Sequence, residues 1–126
     1  MTVYVVQEMR HLNYTPAEKF GEVVFMTNTE FRLQPGSQQN ELTLSKIQSD
    51  LAKFQPERDF IVLTGGPVLC GIVLHMILRD YGVANVLHWD GMARSYIPYR
   101  IDLESLKINP ALRVTYGSRP NVLPNL

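Results

Sequence analysis

Cysteine is nearly missing from this sequence, since Cys70 is the single one in 126 residues. No disulfide can therefore form within the chain, and this usage fits a reducing compartment such as the cytoplasm. The first residues lack a basic segment followed by an apolar run, so we expect no signal peptide. The longest apolar stretch, residues 68–78, is too short to cross a membrane core of about 30 Å. We therefore predict a cytoplasmic protein that does not span a membrane.

Net charge is missing as well, because 12 basic residues balance 12 acidic ones. Proteins that bind mainly to phosphate backbones carry an excess of Lys and Arg, so neutrality argues against a nucleic-acid partner. It argues equally against an acidic mimic of nucleic acid. The hydrophobic fraction of 45% indicates a globular protein, and a chain of this length folds as one domain without a metal or a disulfide.

The centre of the chain predicts a strand, a tight turn and a buried helix. Residues 60–63 form a short, unbroken apolar run, which is typical of a strand buried on both faces. Gly65-Gly66 breaks this run, and Pro67 suits the first position of a helix, where its missing N–H costs nothing. The helix continues through residues 68–78, and Gly82 predicts its end.

The flanking segments predict the rest of a sheet. In the first strand, Val3 and Val5 would face one way and Tyr4 and Val6 the other, which indicates an interior strand. Asn40 is a plausible N-cap for an amphipathic helix that Pro56 would end, and Pro98 places its strand at an edge or a bulge. The predicted strands lie at residues 2–7, 21–26, 31–33, 60–63, 85–90, 96–101 and 112–116, and the amphipathic helix lies at about 40–54.

These elements predict the α/β class, in one small domain of residues 1–117. Its mixed β-sheet would have a partly parallel, Rossmann-like centre, two main helices and a C-terminal hairpin. Each helix would connect neighbouring parallel strands by a right-handed crossover. Residues 118–126 contain two prolines and two asparagines and would form a loosely ordered tail.

The turn after the central strand is a candidate ligand site. Thr64, Gly65 and Gly66 stand between a strand and a helix N-terminus, where backbone N–H groups favour anions. His88 and Asp90 would point the same way at the end of the next strand and complete this candidate set. The turn is not G-x-G-x-x-G, no Walker lysine follows, and the proline after it removes one donor. A purely structural turn and a nucleotide or anion site therefore both stay open.

Catalytic and metal-binding patterns are hard to find in the chain. Cys70 lies near a helix start, where the pKa of a thiol can fall, but His75 is five residues further on and faces elsewhere. An inert buried cysteine is the alternative reading. His11, His75, His88 and Asp90 show no spacing typical of metal ligands. We predict no catalytic residues, no metal and no cofactor.

Aromatic residues and arginines gather in the predicted hairpin, which makes it a candidate partner-binding surface: Trp89, Arg94, Tyr96, Tyr99 and Arg100. Such a mixture is typical of protein interfaces and of sites that stack bases, and the neutral net charge favours a protein partner. A sheet face covered by tyrosines is the alternative. The helix at residues 67–81 is apolar nearly all round, so a second copy of the chain could cover its outer face, giving a homo-oligomer.

Several short motifs together resemble small proteins encoded by tailed bacteriophages and prophages. The motifs are Tyr4–Glu8, Phe20–Glu22, Asp59–Gly65 with Pro67, Leu87–Asp90, Tyr96–Pro98 and Ile101–Leu103. The resemblance covers roughly residues 3–103. In those relatives the turn reads Gly-Asp-Pro and the later motif Lys-Trp-Asp, whereas here Gly65-Gly66-Pro67 and His88-Trp89-Asp90 stand. This difference weakens any site built on the two missing charges. The resemblance implies a viral protein acting inside a bacterial host, and it assigns no activity.

Three functions follow as hypotheses. The first is a non-enzymatic phage accessory protein that binds a host or phage protein in the bacterial cytoplasm, through the hairpin or the turn at 65–67. The second is a binder of a nucleotide or nucleotide-derived ligand at the strand-turn-helix of residues 63–68. The third is a small enzyme that uses Cys70, His88 or Asp90. The sequence alone does not separate the first two.

Overall fold

The computed structural model describes residues 1–29, 34, 36–105 and 107–109. Its strands are β1 (Thr2–Gln7), β2 (Glu22–Thr27), β3 (Phe60–Val62), β4 (Val83–Asp90), β5 (Ser95–Asp102) and β6 (Lys107–Asn109). Its helices are α1 (Gln38–Leu51), α2 (Pro67–Tyr81) and a 3-10 helix (Thr15–Phe20). The predicted strands at 31–33 and 112–116 and the predicted tail at 118–126 lie outside the described residues.

The described strands form one six-stranded sheet in the order β2-β1-β3-β4-β5-β6. The first four strands in this order are parallel, and β5 and β6 are antiparallel to their neighbours. The predicted mixed sheet with a partly parallel centre and a C-terminal hairpin is confirmed. Helix α2 connects β3 to its parallel neighbour β4, as expected. Strand β2, the described strand before α1, is separated from β3 by β1, so that connection passes over a strand.

Strand β1 is apolar on both faces because each face of the sheet carries its own core. Tyr4 and Val6 pack on the side of α1 and α2, whereas Val3 and Val5 pack on the opposite side. Burying a large apolar side chain stabilises the fold by about 1.5–3 kcal/mol. Exposing either face of this strand to water would therefore destabilise the protein. The alternation predicted for the first strand is therefore confirmed.

The second core is covered by the segment between β1 and β2, whose sequence has no helical or strand period. This segment contains the 3-10 helix, which begins with Pro16 in its first turn and packs on β1, β2 and β5. Tyr14 and Ala17 are its buried residues, and the Tyr14 ring meets Phe25 edge-on at 5.2 Å. A segment without helical or strand periodicity thus forms a layer of its own on the face opposite the helices.

The predicted capping residues of the two α-helices are only partly confirmed by the structure. Helix α1 begins at Gln38 because the Ser37 hydroxyl accepts a hydrogen bond from the Asn40 amide at 3.3 Å. The prediction of Asn40 as N-cap is therefore wrong: a serine three residues earlier takes that role. Helix α2 starts at Pro67 and ends before Gly82, whose φ of 78° is left-handed, as the sequence predicts.

Strands β4 and β5 pair along eight residues without a bulge, and a loop of residues 91–94 connects them. The strand of Pro98 was predicted at an edge or a bulge, but β5 lies between β4 and β6. Pro98 lies opposite Leu87, and among the described residues only Arg100, Ile101 and Asp102 of β5 pair with β6, so this ladder does not use the missing N–H of Pro98. Asp102 accepts a hydrogen bond from the Glu104 amide at 3.0 Å and closes the turn that follows. None of the three helices in the described ranges is long and apolar enough to cross a bilayer.

Candidate binding site at the carboxyl edge of the sheet

The four parallel strands all end at the same edge of the sheet, so the loops that follow them meet there. The Gln7 amide at the end of β1 donates to the Thr64 carbonyl after β3 at 3.1 Å. The Glu8 amide donates to the Thr27 carbonyl at the end of β2 at 2.8 Å. Ligands of open α/β sheets bind at this edge, and the predicted turn site therefore lies at the expected place.

The turn itself is filled by a side chain from β1. Gly65 has a φ of 114°, and a Cβ added there would lie 2.5 Å from the Gln7 Cβ. The Gln7 side chain, which is buried, accepts a hydrogen bond from the Gly66 amide at 3.1 Å through Oε1. Pro67 has no N–H to offer. An anion at this helix N-terminus would therefore compete with Gln7 for the amide of the capping residue.

A hydroxyl network holds the segment after β1 against the same turn. The Thr64 hydroxyl donates to the Gln7 carbonyl at 3.0 Å and lies 2.9 Å from the Tyr14 hydroxyl oxygen. The Tyr14 hydroxyl in turn accepts a hydrogen bond from the Met9 amide at 3.0 Å. These contacts fix residues 9–14 relative to β3, and they give the loop a defined position next to the β4–β5 hairpin.

A cavity of about 500 Å³ opens between this loop and the hairpin. We call it the hairpin pocket. Its volume is within the range of about 300–1,000 Å³ that is usual for ligand sites. A smaller cavity of about 220 Å³ runs along β3 and β4 and shares Thr64, Trp89 and Tyr96 with it. The hairpin pocket is lined by His11, Leu12, Asn13, Pro16, Thr64, Trp89, Arg94 and Tyr96.

The aromatic wall of the pocket is a cross-strand pair. Trp89 on β4 lies directly opposite Tyr96 on β5, and their rings meet edge-on with centroids 5.1 Å apart. Tyr96 is buried, whereas 42% of the Trp89 surface is exposed. Burial, with a smaller contribution from Tyr14, raises the pKa of the Tyr96 hydroxyl. The hydroxyl therefore stays protonated at neutral pH and keeps a proton to donate.

The basic residues of the pocket lining are Arg94 and His11, and none of its lining residues is acidic. Arg94 has a φ of 53°, a left-handed conformation that is uncommon for a residue with a side chain. Asp90 holds this loop, because its Oδ1 accepts hydrogen bonds from the amides of Met92 at 3.0 Å and Ala93 at 3.3 Å. The Asp90 carboxylate thus supports the loop that carries Arg94.

The structure divides the predicted partner-binding set. Trp89, Arg94 and Tyr96 meet at the hairpin pocket, but Tyr99 lies on the other face of the sheet, on which its ring is 6.0 Å from that of His88. Arg100 shares the face of Tyr96 but lies four residues further along β5. There it donates to Asn85 at 3.2 Å and forms an ion pair with Glu57 at 3.2 Å. The five residues therefore do not form one surface.

The predicted ligand-binding set is divided as well. Thr64 lines the hairpin pocket, and Gly65 and Gly66 form the turn behind it. His88 and Asp90 alternate with Trp89 along β4, so they lie on the face of the α-helices, as the strand period predicts. His88 nevertheless lines the smaller cavity along β3 and β4 together with Thr64, whereas Asp90 lines neither of the two cavities.

The sequence predicts only half of the residues that line the hairpin pocket. It offers His11 as a possible metal ligand alone, and it gives no reason to place Leu12, Asn13 or Pro16 at a site. Their segment has no hydrophobic period, so nothing in it predicts which side chains face the sheet. The one available signal was the presence of Leu12 and Tyr14 in an otherwise polar stretch.

The other reactive groups lie away from this edge or form no cluster. Burial raises the pKa of the Cys70 thiol, which keeps it in the less reactive protonated form. In the part of the chain that the structure describes, no three His, Cys, Asp or Glu side chains are grouped so that they could hold a metal ion.

The outer face of α2, where a second copy of the chain was predicted to bind, is exposed. Val68, with 47% of its surface exposed, shares this face with His75 and Arg79. The apolar residues Leu69, Val73, Met76 and Ile77 face the sheet. The outer face is thus more polar than the helix sequence suggests, and the homo-oligomer stays a prediction.

Comparison with known proteins links the chain to a phage family. Residues 1–103 match a family described as Phage Pam3 gp32-like protein, and this range includes every residue of the hairpin pocket. The resemblance to phage proteins that the short motifs indicated is thereby confirmed at the level of the family. No curated protein matches the chain, and no solved structure does.

Proposed function

The chain belongs to the Phage Pam3 gp32-like protein family, and from this premise we propose that it is a phage accessory protein that works by binding. Its partner is a host or phage protein in the bacterial cytoplasm. The binding surface is the hairpin pocket together with the loop of residues 91–94. No chemical step is part of this function.

The observation that carries the proposal is the exposure of large apolar side chains around one concave site. Trp89 is 42% exposed, Leu12 is 40% exposed and Met92, in the hairpin loop, is 97% exposed. Tryptophan and methionine are enriched at protein interfaces, and a Trp beside an Arg is a typical hot spot. Exposed apolar side chains grouped near one concave site are typical of an interaction site.

The pocket walls are also held in place before any partner binds. The loop wall is fixed to the turn by the Thr64 and Tyr14 hydroxyls, and the hairpin wall is fixed by the Asp90 hydrogen bonds. A partner would therefore lose little affinity to ordering of these loops. This preorganisation supports binding by a nearly rigid surface.

The test is quantitative capture from lysate of phage-infected host cells. Trp89→Ala removes the exposed aromatic side chain of the pocket, and Leu42→Ala removes an apolar side chain on α1 that is even more exposed, as a control away from the pocket. We expect one protein to be retained by the wild type and the Leu42→Ala variant, and to drop about tenfold or more with Trp89→Ala. Equal retention by all three proteins, or no retained protein, would contradict the proposal.

A nucleotide-derived small ligand is the second candidate, favoured by one observation. The hairpin pocket has the volume of a small-molecule site, and Thr64 from the strand-turn-helix lines it. Thermal unfolding with a panel of nucleotides tests this function. A saturable rise in Tm that Trp89→Ala abolishes would support it, whereas unchanged unfolding with every nucleotide would remove it.

A further inference from the structure

We propose that the hairpin pocket recognises an acidic segment of the partner, with one carboxylate bound by Arg94 and a neighbouring apolar side chain packed against Leu12 and Trp89. This inference rests on the proposed function and adds the chemistry of the occupant. Arg94 selects for the negative charge of the occupant. The aromatic wall, formed by Trp89 and Tyr96, selects for the apolar side chain next to that charge.

The charge distribution favours an anionic occupant. Arg94 forms no ion pair within the described residues. His11 is the second basic residue of the pocket lining. The nearest acidic residue along the chain, Asp90, binds two loop amides through Oδ1. Glu8 lines a different cavity, beside β2 and α1. A guanidinium without a partner at the mouth of a concave site is complementary to a carboxylate.

The backbone around the pocket favours a carboxylate over a chain of phosphates. Polyphosphate sites use several free amides at a helix N-terminus. Here the Gly66 amide is taken by Gln7 at 3.1 Å, Pro67 supplies no amide, and the start of α2 does not line the hairpin pocket. Arg94 offers one planar fork, which matches one carboxylate in a bidentate geometry. A peptide with a single acidic side chain therefore fits the site better than a nucleotide does.

The apolar part of the occupant follows from what is left uncovered. Leu12 and Trp89 are exposed on opposite walls of the same cavity, and Pro16 adds a third apolar surface. A volume of about 500 Å³ holds an apolar side chain together with an adjacent carboxylate. The segment that fits thus places a large apolar residue next to Asp or Glu.

The left-handed backbone of Arg94 provides a substitution that removes charge without disturbing the loop. Asparagine tolerates a φ near 53° better than most residues, so Arg94→Asn preserves the loop and deletes the guanidinium. Arg100→Gln is the matched control. It removes the same charge from β5, the strand that follows the Arg94 loop, at an ion pair with Glu57 and outside the pocket lining.

The experiment is an immobilised library of acetylated, amidated octapeptides probed with labelled full-length protein. Each peptide containing Asp or Glu is printed beside a twin with Asn or Gln at that position. The strongest peptide and its twin are then titrated in solution, with the fluorescence of Trp89 as the readout. Because Trp89 is the single tryptophan of the chain, its emission reports directly on the pocket.

We expect the acidic peptide to change Trp89 emission saturably and its neutral twin to bind about tenfold more weakly. Arg94→Asn should weaken the acidic peptide by a similar factor and leave the twin unchanged. Arg100→Gln should bind both like the wild type. Raising the salt concentration should weaken the acidic peptide in the wild type and have little effect in Arg94→Asn.

Three outcomes would overturn the inference. Equal affinity for acidic and neutral twins would show that charge does not select the occupant. Saturable binding of a nucleotide in the same Trp89 assay, with no response to any peptide, would replace the peptide by a small ligand. No response to peptides, while the lysate capture still yields a partner lost in Trp89→Ala, would leave the proposed function standing and remove the acidic segment from it.

Discussion

At the carboxyl edge of the sheet, the side chain of Gln7 fills the space that a side chain at Gly65 would need. A Cβ added at residue 65 would lie 2.5 Å from the Gln7 Cβ. The Gln7 Oε1 accepts a hydrogen bond from the Gly66 amide at 3.1 Å. The turn after β3 and the end of β1 are therefore built as one unit. This contact also explains why a glycine is needed at position 65, where Gln7 leaves no room for a side chain.

Substituting Gly65 by alanine should destabilise the protein by about 2–4 kcal/mol, because the new Cβ both meets Gln7 and forces a φ of 114° on a residue with a side chain. Urea unfolding followed by circular dichroism measures this loss. Gly66→Ala is the control: its Cβ would meet nothing within 4 Å, so the loss should stay below about 1 kcal/mol. Equal losses in both variants would contradict the account of the turn.

The buried carboxylate of Asp59 gives a second prediction. Its Oδ1 accepts from the Thr2 amide at 3.0 Å and its Oδ2 from the Gln55 amide at 2.8 Å, so it connects β1 to the loop before β3. Asp59→Asn turns one acceptor into a donor that faces an N–H. We expect a loss of about 1–3 kcal/mol in the free energy of unfolding.

The matched control for Asp59 is Asp50→Asn, which breaks a surface pair with Lys46 at 2.8 Å. Such a pair, four residues apart on a helix, contributes about 0.3–0.5 kcal/mol. Both substitutions remove one negative charge, so a difference between them in urea unfolding reports on the two hydrogen bonds that Asp59 accepts. If Asp59→Asn unfolded like Asp50→Asn, the role of this carboxylate in joining β1 to the loop would be wrong.

Cys70 gives a pH-dependent prediction. Burial raises the pKa of its thiol in the folded state, so the folded protein holds the proton to higher pH than the unfolded chain does. The stabilisation from this group is therefore complete below the unfolded pKa and is lost as pH rises through the folded pKa. Iodoacetamide should label Cys70 with a rate that rises at higher pH in the folded protein than in urea.

The control for the thiol is Cys70→Ala. Above pH 8, stability should fall less steeply in this variant than in the wild type, because one group that loses its proton more readily on unfolding has been removed. Tyr4 and Tyr96 also have raised pKa values through burial, and they are common to both proteins. Identical slopes for the two proteins would show that the thiol titrates normally.

The central strands were predictable because their residues carry a clear pattern. An unbroken apolar run predicted β3 at the centre, and alternating apolar residues on both sides predicted β1 in the interior. The position of β2 beside β1 was not predictable in this way. Its residues fit any half-buried strand, and only packing against α1 and the 3-10 helix selects the partner.

The hairpin residues were predictable as a group but not as a surface. Trp89 faces Tyr96 because a four-residue loop sets the register of β4 and β5, and that register also places Tyr99 on the opposite face. The start of the loop is held by Asp90 hydrogen bonds that spacing alone does not reveal. The opposite wall, residues 11–16, has no hydrophobic period from which its position could be predicted. Its position depends on the contacts of the buried Tyr14 hydroxyl with the Met9 amide and the Thr64 hydroxyl.

That hydroxyl provides the last prediction, which connects stability with binding. Tyr14→Phe keeps the ring that packs edge-on against Phe25 but removes the oxygen that accepts the Met9 amide at 3.0 Å and contacts Thr64 at 2.9 Å. We expect a loss of about 1–2 kcal/mol in the free energy of unfolding. We also expect faster hydrogen exchange in residues 9–13, because their anchor to the turn is gone.

Tyr14 does not line the hairpin pocket, so any effect of Tyr14→Phe on binding must act through the position of the loop. A looser wall raises the entropy cost of binding, and the acidic peptide should bind several-fold more weakly. Tyr99→Phe, on the other face of the sheet, is the control and should change neither exchange nor affinity. If Tyr14→Phe accelerated exchange in residues 9–13 but left peptide affinity unchanged, the loop would not be a wall of the binding site, and recognition would rest on the hairpin alone.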